Sequence, residues 1–193
     1  MKDPLKVIQL HKNEAQLIKK ARQHSREAQH MLYQWHAPKM LSVCRYYIND
    51  VHHAEEVMLN GFFKVFTKLK SFNGTGSFEG WIRRIMVNEA ISFLRSKKQL
   101  EFSTDDVVFP ETATNNIKTN MDVAEIQQLI DKLPEGYRMV FVMYAIEGYK
   151  HSEIATMLGI SEGTSKSQLF KARQLLQQQL TKQNTINYGT NEI

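Results

Sequence analysis

The residue types best placed to do chemistry in this chain stand between Glu153 and Arg173. The segment Glu153-Ile154-Ala155-Thr156-Met157-Leu158-Gly159-Ile160-Ser161 runs directly into Glu162-Gly163-Thr164-Ser165-Lys166-Ser167-Gln168-Leu169. A glutamine can pair bidentately with adenine, a lysine can reach guanine or a phosphate, and hydroxyls suit either. The spacing sets these groups on a helix-turn-helix. Ala155 is small enough for a second helix to approach the first, and Gly159 supplies the positive φ of the turn. Ile154, Leu158, Ile160 and Leu169 build a shared core, and Ser161 caps the second helix. That arrangement presents Ser161, Thr164, Lys166, Ser167, Gln168, Lys171 and Arg173 to a duplex groove. An ordinary helical hairpin with a glycine turn is the competing reading. Small residue, turn glycine and capped second helix at these offsets together favour the duplex reader.

A second segment mixes basic and aromatic residues. Arg83, Arg84, Arg95, Lys97 and Lys98 can bind phosphates, while Phe78 and Trp81 can stack on unpaired bases and Asn88 can bond a base edge. Helical period alone makes Trp81 and Ile85 core residues more readily than base-stacking ones. Catalytic constellations are not found. Gly74, Gly76 and Gly80 miss dinucleotide-loop spacing, and there is no phosphate-loop Gly-Lys-Ser. His52-His53 beside Glu55-Glu56 has the right atoms for a metal, but adjacent helical residues point apart. No catalytic residue, metal, cofactor or small-molecule substrate is therefore expected.

The elements that must hold these groups are helical throughout. Apolar residues recur at three- and four-residue spacing, and strand-like alternation is nearly absent. Met31, Leu32, Trp35, Met40, Leu41, Cys44 and Tyr47 predict helices broken near Pro38. Val57, Met58, Phe62, Val65, Phe66 and Leu69 predict another. Ser71 to Ser77 is a loop by its turn chemistry, and Ser77 caps a helix carrying Trp81, Ile82, Ile85, Val87, Ile91 and Leu94. Residues 101–120 are acidic, rich in Thr and Asn, and lack a helical period, which predicts a flexible linker. Further helices are expected over Met121–Leu133, from Pro134 to Gly148, over Ser152–Leu158 and over Glu162–Gln179, followed by a disordered tail from Lys182. The predicted fold is all-α: two small helical domains, 1–100 and 121–181, a linker at 101–120, and a tail at 182–193.

Charge is unevenly spread. The chain has 193 residues and a formal net charge of +5. Residues 1–100 hold 17 Lys and Arg against 8 Asp and Glu, so the basic excess lies in the first half, where a polyanion would be held. Cys44 is the only cysteine, which excludes an intramolecular disulfide, suits a reducing cytoplasm and predicts a small buried hydrophobe. Met1 to Lys20 has no apolar run of the signal-peptide kind, and no stretch of about 18 apolar residues occurs to insert in a membrane.

Two blocks of sequence also carry a family resemblance. Leu133-Pro134-Glu135-Gly136-Tyr137-Arg138-Met139-Val140-Phe141, the Glu153–Ile160 core, and Gly163-Thr164-Ser165-Lys166-Ser167-Gln168-Leu169-Phe170-Lys171-Ala172-Arg173 resemble region four of an RNA polymerase sigma factor. Leu32 to Leu41, Ala54 to Phe66 and Phe78 to Ala90 are similar to its region two. The small size points to the extracytoplasmic-function group. The resemblance implies a promoter minus-thirty-five reader in the second half. In the first half it implies a polymerase-clamp face with Glu55, Glu56, Asn60 and Phe63, and a minus-ten site with Asn73, Trp81, Arg83, Arg84, Asn88 and Arg95. It implies core RNA polymerase and promoter DNA as partners, and an anti-sigma factor as a possible third. The chain departs from the family in four places. Ser165 stands where Val is usual and Gln168 where Arg is usual; Leu59 and Asn60 replace a Gln and an acidic residue. The alternative from another class is a stand-alone helix-turn-helix regulator, which would be expected to dimerise.

Overall fold

The computed structural model describes residues 14–97 and 122–189, leaving aside the side chains of 123 and 182–189. The predicted linker at 101–120 lies outside the described residues. The chain divides into two units between Phe93 and Leu94. Among the described residues there are helices and turns but no strand.

The described residues of the first unit form four α-helices and a short 3-10 turn. Helix α1 covers 14–22 and ends at His24, whose φ of 64° places it in the left-handed region. Ser25 then caps α2, Arg26–Tyr47, by accepting from the Ala28 N–H. Helix α2 is continuous through Pro38, where the sequence predicted a break. An interior proline costs about 3 kcal/mol in lost hydrogen bonding and ring clash. Buried residues on both sides of it, Leu32, His36, Ala37, Met40, Val43 and Cys44, offset that cost by holding one helical face against the core.

Helix α3, Val51–Thr67, starts at Asp50, which accepts from the His53 N–H at 2.8 Å. It buries Ala54, Val57, Met58, Gly61, Phe62 and Val65. At Gly61 the helices approach closely: a Cβ there would lie 2.3 Å from the sulfur of the buried Met86, whose side chain would have to shift. A single 3-10 turn, Leu69–Ser71, leads into the loop before α4, Phe78–Ser96. Ser77 caps α4 as the sequence predicts, accepting from the Gly80 N–H at 3.0 Å.

The second unit carries α5, Val123–Asp131, and α6, Glu135–Phe141. α6 widens into a π-helical turn over Val142–Ile146, a feature that periodicity did not foresee. Gly148, at φ 77°, ends it. Helix α7, His151–Leu158, closes on Gly159 at φ 69°, as the turn requires. Helix α8 spans Glu162–Gly189, so helix extends into the stretch expected to be a tail from Lys182. The core between these helices includes Leu129, Ile130, Leu133, Met139, Val140, Val142, Met143, Ile154, Leu158, Leu169 and Ala172. Arg138 is buried with them, 3.9 Å from the Glu135 carboxylate one turn earlier.

Candidate nucleic-acid and polymerase interfaces

The predicted polymerase face follows from helical period. Glu55, Glu56, Asn60 and Phe63 are all exposed on α3, at offsets that set them on one stripe with Leu59, opposite the buried stripe. Phe63 is 71% exposed and Leu59 53%. Read without the family resemblance, Phe63 would be a core aromatic; the core position is taken by its neighbour Phe62, which packs edge-on against Tyr33 at 4.8 Å. Two large apolar groups flanked by carboxylates, on an otherwise well-packed helix, have the chemistry to meet a basic partner surface with an apolar anchor.

The predicted strand-binding residues lie on and before α4. Trp81, Arg84 and Asn88 fall at i, i+3 and i+7, so they share a face; Arg84 and Asn88 are exposed and Trp81 is half-buried. Arg83 is half-buried beside this stripe, and Arg95 is exposed in the last turn. Asn73 is exposed, with its Oδ1 accepting from the Thr75 N–H at 3.1 Å and from its hydroxyl at 2.5 Å. Phe78 does not join them. It is 2% exposed, packed on Phe72 and Trp81 at 5.2 and 5.8 Å, and cannot stack on a base; it supports Trp81 from below. Sequence reasoning missed Arg22 of α1. Its guanidinium donates to the carbonyls of Leu69 and Phe72 and covers the Phe72 ring at 6.0 Å, fixing the turn from which Trp81's aromatic support is built. Only a tertiary contact across 50 residues reveals that role.

The helix-turn-helix has the predicted local chemistry. Ser161 caps α8 by accepting from the Thr164 N–H at 2.9 Å, and its hydroxyl also meets that of Thr164 at 2.9 Å. At the head of α7, the Glu153 carboxylate accepts from the Lys150 N–H at 2.8 Å. Ser161, Lys166 and Arg173 are exposed, and Thr164 and Lys171 half-buried. Two predicted contacts are corrected. Gln168 is fully buried and Ser167 is 5% exposed, so neither faces a groove. Ser165, Gln168, Leu169 and Ala172 fall at i, i+3, i+4 and i+7, all on the core side of α8. Given Leu169 and Ala172 as core residues, the period alone assigns Gln168 inward. Ser167 instead spends its hydroxyl on the Thr164 carbonyl at 2.9 Å. The outward stripe of α8 is Lys166, Phe170 and Arg173.

Beside that stripe lies a cluster the sequence did not announce. The His151 ring stacks on Tyr144 at 4.6 Å with planes 22° apart, and its Nδ1 is 2.8 Å from the Ser165 hydroxyl. Arg173 covers the Tyr144 ring at 5.8 Å. Burial holds the His151 pKa below its ordinary value; Lys166 and Arg173 push the same way, and Glu162 opposes them. The π-helical turn that carries Tyr144 places it here. No group of three or more His, Cys, Asp or Glu among the described residues could hold a metal ion. None of the described helices is long and apolar enough to cross a membrane.

Comparison with known proteins decides the family. Residues 32–99 match the model of Sigma-70 region 2, and residues 124–176 match that of Sigma-70 region 4. The chain belongs to the sigma-70 family, in its extracytoplasmic-function group. It is 29% identical over 158 residues to the ECF RNA polymerase sigma factor SigW of Bacillus subtilis, covering 74% of this chain and 83% of that one. It is 25% identical over 181 residues to the RNA polymerase sigma-H factor of Pseudomonas aeruginosa, covering 86% and 92%. The fold is similar to that of the sigma factor RpoE of Bartonella quintana, solved with the anti-sigma factor NepR. There the TM-score is 0.52 and identity 20%, over 78% of this chain and 95% of that one. As a sigma factor the chain serves transcription initiation, and its region 4 is a DNA-binding module.

Proposed function

We propose that this sigma factor directs core RNA polymerase, in the cytoplasm, to promoters with two separated elements and assists in opening them. The observation that carries this reading is the pairing of two family regions, in order, each with its own outward stripe of binding groups. In this reading a domain over 1–100 grips the polymerase clamp through Glu55, Glu56, Asn60 and Phe63. Its Asn73, Trp81, Arg83, Arg84, Asn88 and Arg95 meet the minus-ten strand. A domain over 121–181 sets α8 in the minus-thirty-five major groove through Ser161, Thr164, Lys166, Lys171 and Arg173. Opening is driven by binding energy spent on the separated strand, with no nucleotide hydrolysis and no catalytic group in this chain. We further propose an anti-sigma factor as a candidate third partner, since the Bartonella relative was solved with one.

The deciding experiment is in vitro transcription with sigma-free core polymerase and a genomic template library, mapping RNA 5′ ends. Start sites that depend on the added protein and share two upstream motifs are the expected result. Failure to bind core, with tight duplex binding by a dimer, would instead establish a stand-alone helix-turn-helix regulator.

A further inference from the structure

Ser165 is fully buried, and a buried hydroxyl without a partner costs about 1–3 kcal/mol. The valine usual in this family at that position would need no partner. Here the partner is His151, across the turn at the head of α7, with Nδ1 2.8 Å from the hydroxyl. The ring is held from its other side by Tyr144, and Tyr144 is covered in turn by Arg173 of α8. We propose that His151 is a positioning residue for the recognition helix, acting through Ser165, and that it takes up a proton when α8 binds duplex DNA. This rests on the reading of α7 and α8 as the promoter-duplex reader.

The coupling follows from what faces the ring. From α8 come two cations, Lys166 and Arg173, which disfavour a charged imidazole, and one anion, Glu162, which favours it. From the π-helical turn comes the uncharged face of Tyr144. On its own helix the Glu153 carboxylate is turned back to the Lys150 N–H. Lys166 and Arg173 are also the exposed cations of the groove-facing stripe. Burial contributes most to the lowered pKa and the two cations add to it; phosphates that neutralise Lys166 and Arg173 remove the cationic part and add attraction for the proton. The contact to Ser165 survives the change but reverses: neutral Nδ1 accepts from the hydroxyl, whereas the protonated ring donates to its oxygen. The hydroxyl then accepts from Nδ1 instead of donating to it, while the Ser165 N–H stays on the Ser161 carbonyl at 3.0 Å. The first turn of α8 is thereby tied to the charge on His151.

The test uses holoenzyme assembled from the full chain and core polymerase, binding a promoter with an intact or a scrambled minus-thirty-five element. The ratio of the two affinities isolates α8 and cancels titrations elsewhere. One proton taken up on binding gives a slope of at most one logarithmic unit per pH unit, so the ratio should rise roughly 3- to 10-fold from pH 7.5 to 6. His151→Phe keeps the stack on Tyr144, and should lower the ratio at pH 7.5 and flatten its pH profile. Adding Ser165→Val should restore the ratio at pH 7.5 but leave the profile flat. A flat wild-type profile, an unaltered His151→Phe profile, or a double variant no better than the single one overturns the proposal. Independently of whether the variants fold, histidine NMR titration of the full chain with and without duplex should show the His151 pKa rising on binding, and an unchanged value overturns the proposal. If wild-type affinity ignores the scrambling at every pH, the duplex-reader assignment itself has failed, and the proposal with it.

Discussion

Phe63 is the most exposed large apolar side chain among the described residues, and Phe63→Ala separates partner binding from stability. A phenylalanine side chain buries about 150–250 Å² when fully covered. At 71% exposure most of that area is still available to a partner, roughly 110–180 Å². At about 25 cal/mol per Å², covering it stabilises a complex by roughly 3 kcal/mol or more, at least about a 100-fold change in Kd. Folding should barely notice the substitution, since exposed positions away from caps and core shift stability by only about 0.5 kcal/mol. The neighbouring Phe62 gives the opposite control. It is 3% exposed, and Phe62→Ala should cost about 3–5 kcal/mol of folding stability. The assay is titration of labelled sigma factor with core polymerase, beside urea melts of each variant. Phe63→Ala that binds core within twofold of wild type, or that loses more than about 1 kcal/mol of folding stability, would refute the assignment of α3's outward stripe.

On α8, Lys166→Ala should weaken promoter binding and reduce the salt slope of log K by about one unit if Lys166 meets a phosphate, whereas Gln168→Ala should lower the melting temperature and leave the slope unchanged. Salt titrations of holoenzyme binding, with thermal melts of the free chain, separate the two. His151 has a lowered folded-state pKa, so the unfolded chain binds the proton first as pH falls. Its contribution to stability is therefore present above the ordinary histidine range and lost on acidification through the folded-state value; in urea melts that pH dependence should shrink in His151→Phe. Cys44 is fully buried and its thiol is pushed up to about 12 by burial, with Glu89 adding to the effect. At pH 8 it should react with a disulfide reagent only on the timescale of unfolding, and immediate labelling of the native chain would show the α2 core to be open.

Much of this architecture was legible because local signals and burial agree. Gly159, Ser161 and the apolar positions of α7 and α8 each require the same turn, and the structure supplies it. The misreadings have identifiable causes. Pro38 was given its intrinsic effect as a helix breaker, but a buried face on both flanks holds α2 together across it. Gln168 and Ser167 were assigned by what their side chains can bond, when the period set by Leu169 and Ala172 had already turned Gln168 inward. Phe78 and Trp81 were treated alike as aromatics for stacking, yet only Trp81 retains exposure. Arg22, the π-helical turn and the His151 cluster depend on contacts between distant segments, for which a single sequence has no local signature.

The correction at Gln168 changes how specificity in region 4 has to arise. With Gln168 and Ser167 buried, the proposed groove contacts of α8's first turns reduce to Ser161, Thr164, Lys166, Lys171 and Arg173, beside the exposed carboxylate of Glu162. The hydroxyl of Ser161 is already committed to the cap and to Thr164. What remains is mainly cationic; lysine and arginine held on phosphates carry little sequence preference, and only one brought onto a guanine edge adds any. Such a face is weakly selective by itself. Selectivity is then carried by requiring a second contact at a fixed separation: holding one unit at its element raises the effective concentration of the other at its own, and two modest affinities multiply. On this argument the partner that fixes the separation matters as much as any base contact, which is why the exposed Phe63 and Leu59 of α3 deserve the first measurement and why promoter binding by the free chain should be poorly sequence-specific.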